Sequence, residues 1–280
     1  MKKITESTIQ YLANKIDFSK LHIKKIRIGT YLTAVILSDD SCGVSSTINE
    51  KTHNCKKEGR DFGEFTPGKL ENRSVDSLLN TSKNSAVIQS LKIATLNALS
   101  EKIIVSENYK IIENIDPIDL LDFKTDSKVV IVGGFNSYIS KVLLFTKNIH
   151  VLEFDKLKIS SSYRHFYVDA SEYKKTLGNA NFVIITGMTL INETIDDLLK
   201  NCPKDATTVV TGPSSSIIPD MLFNNNVNLI GSIKITDSNQ LFKLVEQAGT
   251  AYHLFKYCAR KITIINNSLN LSTLKNINNE

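Results

Sequence analysis

Between Asn181 and Asp237 three apolar runs each stop at a cluster of small polar residues, and no other feature of the chain constrains its fold as strongly. Phe182-Val183-Ile184-Ile185 runs into Thr186-Gly187-Met188-Thr189, and Thr207-Thr208-Val209-Val210 runs into Thr211-Gly212-Pro213-Ser214-Ser215-Ser216. Val227-Asn228-Leu229-Ile230 runs into Gly231-Ser232, with Thr236-Asp237 close behind. Short continuous apolar runs bounded by turn residues, with helix-like segments between them, read as parallel strands buried on both faces. Ligands of such sheets sit beyond the carboxyl ends of the strands, which is where these polar clusters fall.

The neighbouring sequence extends the pattern. Strands are expected at residues 129–132, 150–154, 182–185, 207–210 and 228–230, with helices near 138–145, 193–199, 217–223 and 239–247. This alternation predicts an α/β, doubly wound, Rossmann-like parallel sheet. Upstream the order differs: an amphipathic helix at 6–15, a hairpin of strands at 25–29 and 31–37, a further strand near 43–48 inside a long polar stretch, then helices at 75–79 and 85–99. Strands first and helices after is an α+β order. Asp116 is a candidate N-cap for a short helix opened by Pro117. The polar run 124–128 is the expected joint, which divides the chain into an N-terminal α+β domain (1–124), a Rossmann-like domain (125–265) and an Asn- and Ser-rich tail (266–280) expected to be frayed.

Composition narrows the function classes. The chain has 280 residues, enough for a substantial core and two domains. It has no apolar run near ~18 residues and no apolar h-region behind Met1-Lys2-Lys3, so no membrane span or secretion signal is expected and a cytoplasmic location is the default. The net charge of +5 is modest, and Lys24, Lys25 and Arg27 read as a solvated strand face, so no nucleic-acid partner is expected. Cys42, Cys55, Cys202 and Cys258 form no C-x-x-C pair and are expected to be reduced thiols. Cys42, His53 and Cys55 could together offer thiolate and imidazole to Zn, Ni or Cu, but their spacing matches no common structural zinc site, and bystander thiols are the competing account.

Two groups of residues point to a ligand. Gly133-Gly134 ends the strand at 129–132, and Glu153 follows about 20 residues on, where dinucleotide-binding folds keep the carboxylate that holds a ribose diol. The full G-x-G-x-x-G pattern is missing, so a tight turn with an incidental Glu explains these residues equally well. Thr186, Thr189, Asn192, Gly212, Pro213, Ser214 and Ser215 bring hydroxyls, an amide and backbone donors to adjacent strand ends. Helix capping by Thr189, Asn192 and Ser214 is the alternative, and Pro213 fits a turn. No G-x-S-x-G elbow is present.

Thr186-Gly187-Met188-Thr189-Leu190-Ile191-Asn192-Glu193-Thr194, Gly212-Pro213-Ser214-Ser215-Ser216 with Pro219, Gly231-Ser232 and Asp237 together resemble the C-terminal half of the heavy-metal chelation family of bacteria and archaea. Gly43-Val44-Ser45-Ser46-Thr47 and Ala94-Thr95-Leu96-Asn97-Ala98-Leu99 are similar to its N-terminal signatures. Glu193 stands where a glycine is common, Ser216 where a proline is common, and Gln247-Ala248-Gly249 replaces a more glycine-rich turn. The resemblance implies an enolase-N-terminal-like domain joined to a Rossmann-like domain, with a site between them for a small polar metal-chelating compound that is bound or helped through synthesis. Thr47 and Asn97 would reach in from the first domain, and Gly133, Gly134, Thr186, Thr189, Asn192, Gly212, Pro213, Ser214 and Ser215 would line the second. Glu153 and Asp237 are the candidates for acid–base work. Two rivals stay open: an enzyme with a nucleotide-type cofactor, of dehydrogenase or methyltransferase type, and a non-catalytic protein that binds a transition-metal complex. Whether the chain catalyses a reaction, and whether it forms a homodimer, are left undecided.

Overall fold

The computed structural model describes residues 3–48, 65–269 and 274–275, and it contains two sheets packed about a shared core. Helix α1 (Ile4–Ala13) leads into β1 (Ile23–Ile28), β2 (Leu32–Leu37) and β3 (Cys42–Ser46), an antiparallel sheet in the order β1-β2-β3. Two helices follow, α2 (Val75–Asn80) and α3 (Ala86–Ser106). Ser85 caps α3 by accepting the Ile88 N–H at 3.2 Å. The helix runs seven residues past the expected end at 99, to Ser106, since nothing after Leu99 breaks it.

Helix α3 is buried nearly all round from Ile88 to Ser100, because one side packs on β2 and β3 and the other meets the large sheet's side of the molecule. Gly43 makes the first contact possible. A Cβ there would lie 2.1 Å from the Ala94 carbonyl oxygen and 2.5 Å from the Ala98 nitrogen, so β3 and α3 touch backbone to backbone.

Among the described residues the second sheet has eight strands. In chain order they are β4 (Lys110–Glu113), β5 (Val129–Val132), β6 (Ile149–Glu153), β7 (Tyr167–Asp169), β8 (Phe182–Thr186), β9 (Thr207–Thr211), β10 (Leu229–Ile235) and β11 (Ala259–Ile265). The helices between them are α4 (Asn136–Val142), α5 (Tyr173–Leu177), α6 (Met188–Ile191), α7 (Ile195–Asn201), α8 (Pro219–Phe223), α9 (Ser238–Glu246) and α10 (Ala251–Tyr257). Strands β7-β6-β5-β8-β9-β10 are parallel neighbours, which is the 3-2-1-4-5-6 order of the Rossmann fold.

The expected sheet of parallel strands is thus found, with an antiparallel addition. The chain turns back after α10, so β11 runs antiparallel to β10 and β4 antiparallel to β11. Strand β4 therefore belongs to the large sheet although it precedes the joint expected at 124–128. Alternate residues of each parallel strand serve opposite faces. Val130, Ile185 and Val210 join Leu91 and Leu96 of α3 in one core, while Ile131, Ile184 and Val209 join Ile139 of α4 in another. Leu269 and Leu274 are buried in that second core, and Leu274 bridges Leu121, so these parts of the tail are docked.

Asp116 differs from expectation as well. It makes no side-chain cap on the 3₁₀ turn Pro117–Leu120, because its carboxylate is taken by the Tyr138 hydroxyl and by Lys261 Nζ at 2.9 Å. Among the basic strand residues, Lys24 pairs with Asp40, Arg27 with Glu246, and Lys25 lies over the Phe242 ring.

His150 on β6 gives the fold a pH dependence. Burial, helped by the Lys128 charge, pushes its imidazole below the ordinary value near 6.5, and its Nδ1 is buried without a partner among the described residues. The unfolded chain then takes up a proton more readily than the folded one, so this contribution to stability is full above about pH 6.5 and is lost as the pH falls toward the depressed folded value. Denaturant midpoints measured at about pH 7.5 and about pH 5.5 should drop on acidification, and His150→Phe should make the drop smaller. An equal drop in both proteins would remove His150 as its cause.

Candidate functional site

A cleft of about 850 Å³ opens where the end of β3 faces the carboxyl ends of β5, β6 and β8. Its wall on one side is Tyr31, Ser46 and Thr47 from the small sheet, and on the other Gly133, Gly134 and Glu153 from the large one. Thr186, Thr189 and Asn192 close it on the β8 side. Strands β5 and β8 flank the point at which the strand order reverses, the place where open α/β sheets leave a crevice for ligands.

The turn after β5 needs its first glycine. Gly133 has φ +111°, and a Cβ there would lie 3.1 Å from Thr186 Cγ2. Its N–H donates to the Leu152 carbonyl at 2.9 Å, which ties the turn to β6. Glu153, only 7% exposed, ends β6. Its Oε1 accepts the Phe154 N–H at 2.8 Å and lies 3.7 Å from Lys158 Nζ, so the carboxylate is held in position at the cleft wall.

The β8 side is built from local turn bonds. Thr189 Oγ1 donates to the Thr186 carbonyl at 2.7 Å, and Asn192 Oδ1 accepts from the Thr194 hydroxyl at 2.8 Å. Thr47 Oγ1 is within 2.8 Å of Thr33 Oγ1. These polar groups shape the wall as well as face it.

Comparisons with known proteins bear on this geometry. Two family models, DUF364 and DUF4213, each described as "Putative heavy-metal chelation", match residues 116–264 and 9–100 respectively. The chain belongs to this family. An uncharacterized protein of Methanocaldococcus jannaschii is 24% identical over 197 residues, covering 69% of this chain and 72% of that protein. A crystal structure of a DUF364 protein of unknown function from Pyrococcus horikoshii shares the fold at TM-score 0.72 and 17% identity. One from Desulfitobacterium hafniense does so at 0.70 and 15%. Each alignment covers 94% of this chain and 98% of the other, so the two-part α/β architecture is that of the family's solved structures.

The turn after β9 lies beside the cleft. Gly212, Pro213 and Ser214 line a recess of about 210 Å³ that shares Tyr31, Ser46 and Thr186 with it. Ser214 Oγ accepts the Ser46 N–H at 2.9 Å, which joins the small sheet to the large. Ser215 Oγ lies 2.7 Å from the Gly212 carbonyl oxygen and 2.6 Å from that of Gly231, a donor shared between adjacent strand ends. Asn97 does not reach into the cleft as expected. Its Nδ2 donates to the Val44 carbonyl at 2.8 Å and the Pro213 carbonyl at 3.1 Å, so it braces β3 against the turn after β9.

Asp237, expected as an acid–base group, lines neither cavity. It is the N-cap of α9 and accepts the Gln240 N–H at 2.9 Å, a capping role that accounts for an aspartate three residues before Gln240. The thiol–imidazole grouping is not assembled among the described residues. Cys42 is a buried strand residue whose thiol burial pushes up to about 12, while His53 and Cys55 lie outside the described residues. Among the described residues no cluster of three or more His, Cys, Asp or Glu is placed to hold a metal ion, and no helix is long and apolar enough to cross a membrane.

Sequence reading missed Phe154, Lys158 and Asp169, all of which line the cleft. Phe154 was the one with a signal, since it directly follows Glu153 at a strand end.

Proposed function

We propose that this chain is a cytoplasmic protein that grips a small organic metal chelator, or an intermediate in making one, in the cleft between its two sheets. Metal would reach the protein through that compound instead of through side chains. The observation that carries this reading is convergence: Thr47 from the first family signature and Gly133, Thr186, Thr189 and Asn192 from the second half line one cleft of about 850 Å³. That volume suits an organic ligand.

The donor set supports the indirect role. The cleft carboxylates are hard oxygen donors already engaged in the chain, Glu153 by Lys158, Asp169 by the Tyr167 and Ser171 hydroxyls, Glu193 by Lys3 and Asp197 by the Tyr173 hydroxyl. Soft heavy metals favour thiolate and imidazole, which the described cleft residues do not offer. Should a reaction occur on the ligand, Glu153 is the group placed for proton transfer.

Elemental analysis and mass spectrometry of the purified protein test this. Stripped of small molecules, it should hold Zn, Ni or Cu well below one equivalent, and the Cys42→Ser, Cys55→Ser double variant should match the parent. Material purified gently from cells should release an organic compound together with any metal. Stoichiometric metal in the stripped parent, absent from the double variant, would move the site into the first half of the chain. A second reading, a nucleotide-type cofactor, is favoured by the strand order and by Glu153 at the end of β6.

A further inference from the structure

We infer that the part of the cleft beside β5 and β6 takes a nucleoside without phosphates, with its ribose diol on Glu153 and its base against Phe154. The inference rests on the reading of the cleft as the ligand site and names the chemical class of one of its occupants.

Strand order and position identify the ribose partner. Glu153 ends the second strand of the Rossmann order, and the carboxylate at that place accepts hydrogen bonds from vicinal hydroxyls in folds of this type. Its anchoring by the Phe154 N–H and by Lys158 fixes the carboxylate before any ligand arrives. The next residue supplies a flat surface: Phe154 lines the cleft and keeps 70% of its surface exposed, an arrangement suited to stacking a planar base.

The same turn argues against phosphate. Dinucleotide-binding folds hold the pyrophosphate with backbone amides of the glycine turn, which must therefore point at open space. Here three of the amides that follow the first glycine are spent within the chain. The Phe135 N–H donates to the Gly133 carbonyl at 2.9 Å, the Asn136 N–H to Gly134 at 3.0 Å, and the Tyr138 N–H to Phe135 at 3.0 Å.

The loop after β6 also packs down on the turn. A Cβ at Gly134 would lie 3.0 Å from the Lys158 carbonyl oxygen, and the Asn136 side chain ties the two segments by accepting the Ser160 N–H at 2.8 Å. Charge points the same way: among the described residues that line the cleft, Glu153, Asp169, Glu193 and Asp197 face a single cation, Lys158. An anionic ligand is disfavoured there and a neutral or cationic one is accommodated.

Titration calorimetry on the full chain, stripped of small molecules, tests this with adenosine, guanosine, cytidine and uridine. The 2′-deoxy form and 5′-monophosphate of the best binder, NAD, and S-adenosylmethionine as a nucleoside with a cationic 5′ substituent complete the set. At least one nucleoside or the cationic derivative should bind, the 5′-monophosphate at least about tenfold more weakly, and NAD no better than the nucleoside. Phe154→Ala, an exposed position, should weaken binding by about fivefold or more. Loss of the 2′-hydroxyl should weaken it about tenfold in the parent and far less in Glu153→Gln. If Glu153→Gln does not fold, the 2′-deoxy comparison in the parent carries the same information.

Tighter binding of the monophosphate or of NAD would overturn the inference, as would a failure of every nucleoside and of S-adenosylmethionine to bind at about 1 mM. A non-nucleoside compound released from the gently purified protein would then leave the cleft reading standing. Absence of any released compound would remove both.

Discussion

Replacing Gly43 with alanine should cost the protein about 3 kcal/mol or more, lowering its melting midpoint by roughly 6–12 °C. The cause is geometric. The new methyl would sit 2.1 Å from the Ala94 carbonyl oxygen and 2.5 Å from the Ala98 nitrogen, and both atoms belong to the backbone of a helix that cannot yield as a flexible side chain would. Either β3 leaves α3 or α3 leaves its place. Both changes break the core, since Leu91, Leu96 and Leu99 of that helix share one cluster with Val130, Ile185 and Val210 of the large sheet.

Gly178→Ala is the control. At that position φ is −50° and the nearest atoms are 3.7 Å from an added Cβ, so its effect should lie within about 0.5 kcal/mol of zero. Equal midpoints for the two variants in urea would show that the close contact of β3 with α3 is not what holds the core together. A severe loss in Gly43→Ala alone would also give the glycine that starts this segment a structural reason apart from the cleft.

The parallel strands were legible because burial on both faces leaves an apolar run with sharp ends, and β5, β8 and β9 begin where such runs begin. The strands that escaped notice lack that mark. Strand β7 has three residues, β4 is a mostly exposed edge strand of four, and β11 starts Ala259-Arg260-Lys261, with Arg260 exposed, before its buried half. The places of β11 and β4 come from the return of the chain after α10, a tertiary event without a local signal.

The site shows the same division. Spacing was enough to find Glu153, because the distance between successive strand ends is set by the length of one helical crossover. Lys158 joins it through the way the loop after β6 packs on Gly134, and Asp169 through the pairing of β7 with β6. Hydroxyl-rich turns were the harder case, as their residue types serve ligands and turns alike, and Ser214 and Ser215 prove to be tied to Ser46, Gly212 and Gly231. A departure from the family pattern also has a physical reading. Glu193 holds φ +59°, a left-handed conformation that glycine adopts without strain, and its carboxylate is 2.7 Å from Lys3.

Asp116→Ala is expected to destabilise the fold by about 3 kcal/mol, a loss out of proportion to one side chain at the start of a 3₁₀ turn. An N-cap would lose about 1 kcal/mol on the same change. The difference comes from what the carboxylate does. It accepts from the Tyr138 hydroxyl on α4 and from Lys261 on β11, and its side chain is only 12% exposed. One residue thereby joins the entry to the large sheet, the helix after its first parallel strand and its antiparallel strand.

Burial of the Tyr138 ring, with the Asp116 charge beside it, pushes the phenol above its ordinary range, so the hydroxyl stays protonated and needs an acceptor. With alanine at 116 the remaining oxygen near that hydroxyl is Thr211 Oγ1 at 3.4 Å, at the limit of a hydrogen bond, and Lys261 loses its partner. Asp116→Asn keeps an acceptor for Tyr138 while removing the charge that Lys261 needs, and it should recover part of the loss. Urea unfolding of the three proteins at neutral pH separates the two accounts. A cost for Asp116→Ala near that of a lost cap, with Asp116→Asn indistinguishable from the parent, would show that the buried contacts to Tyr138 and Lys261 add little. A graded series, parent above asparagine above alanine, would show that this carboxylate secures β11, and with it β4, to the parallel core.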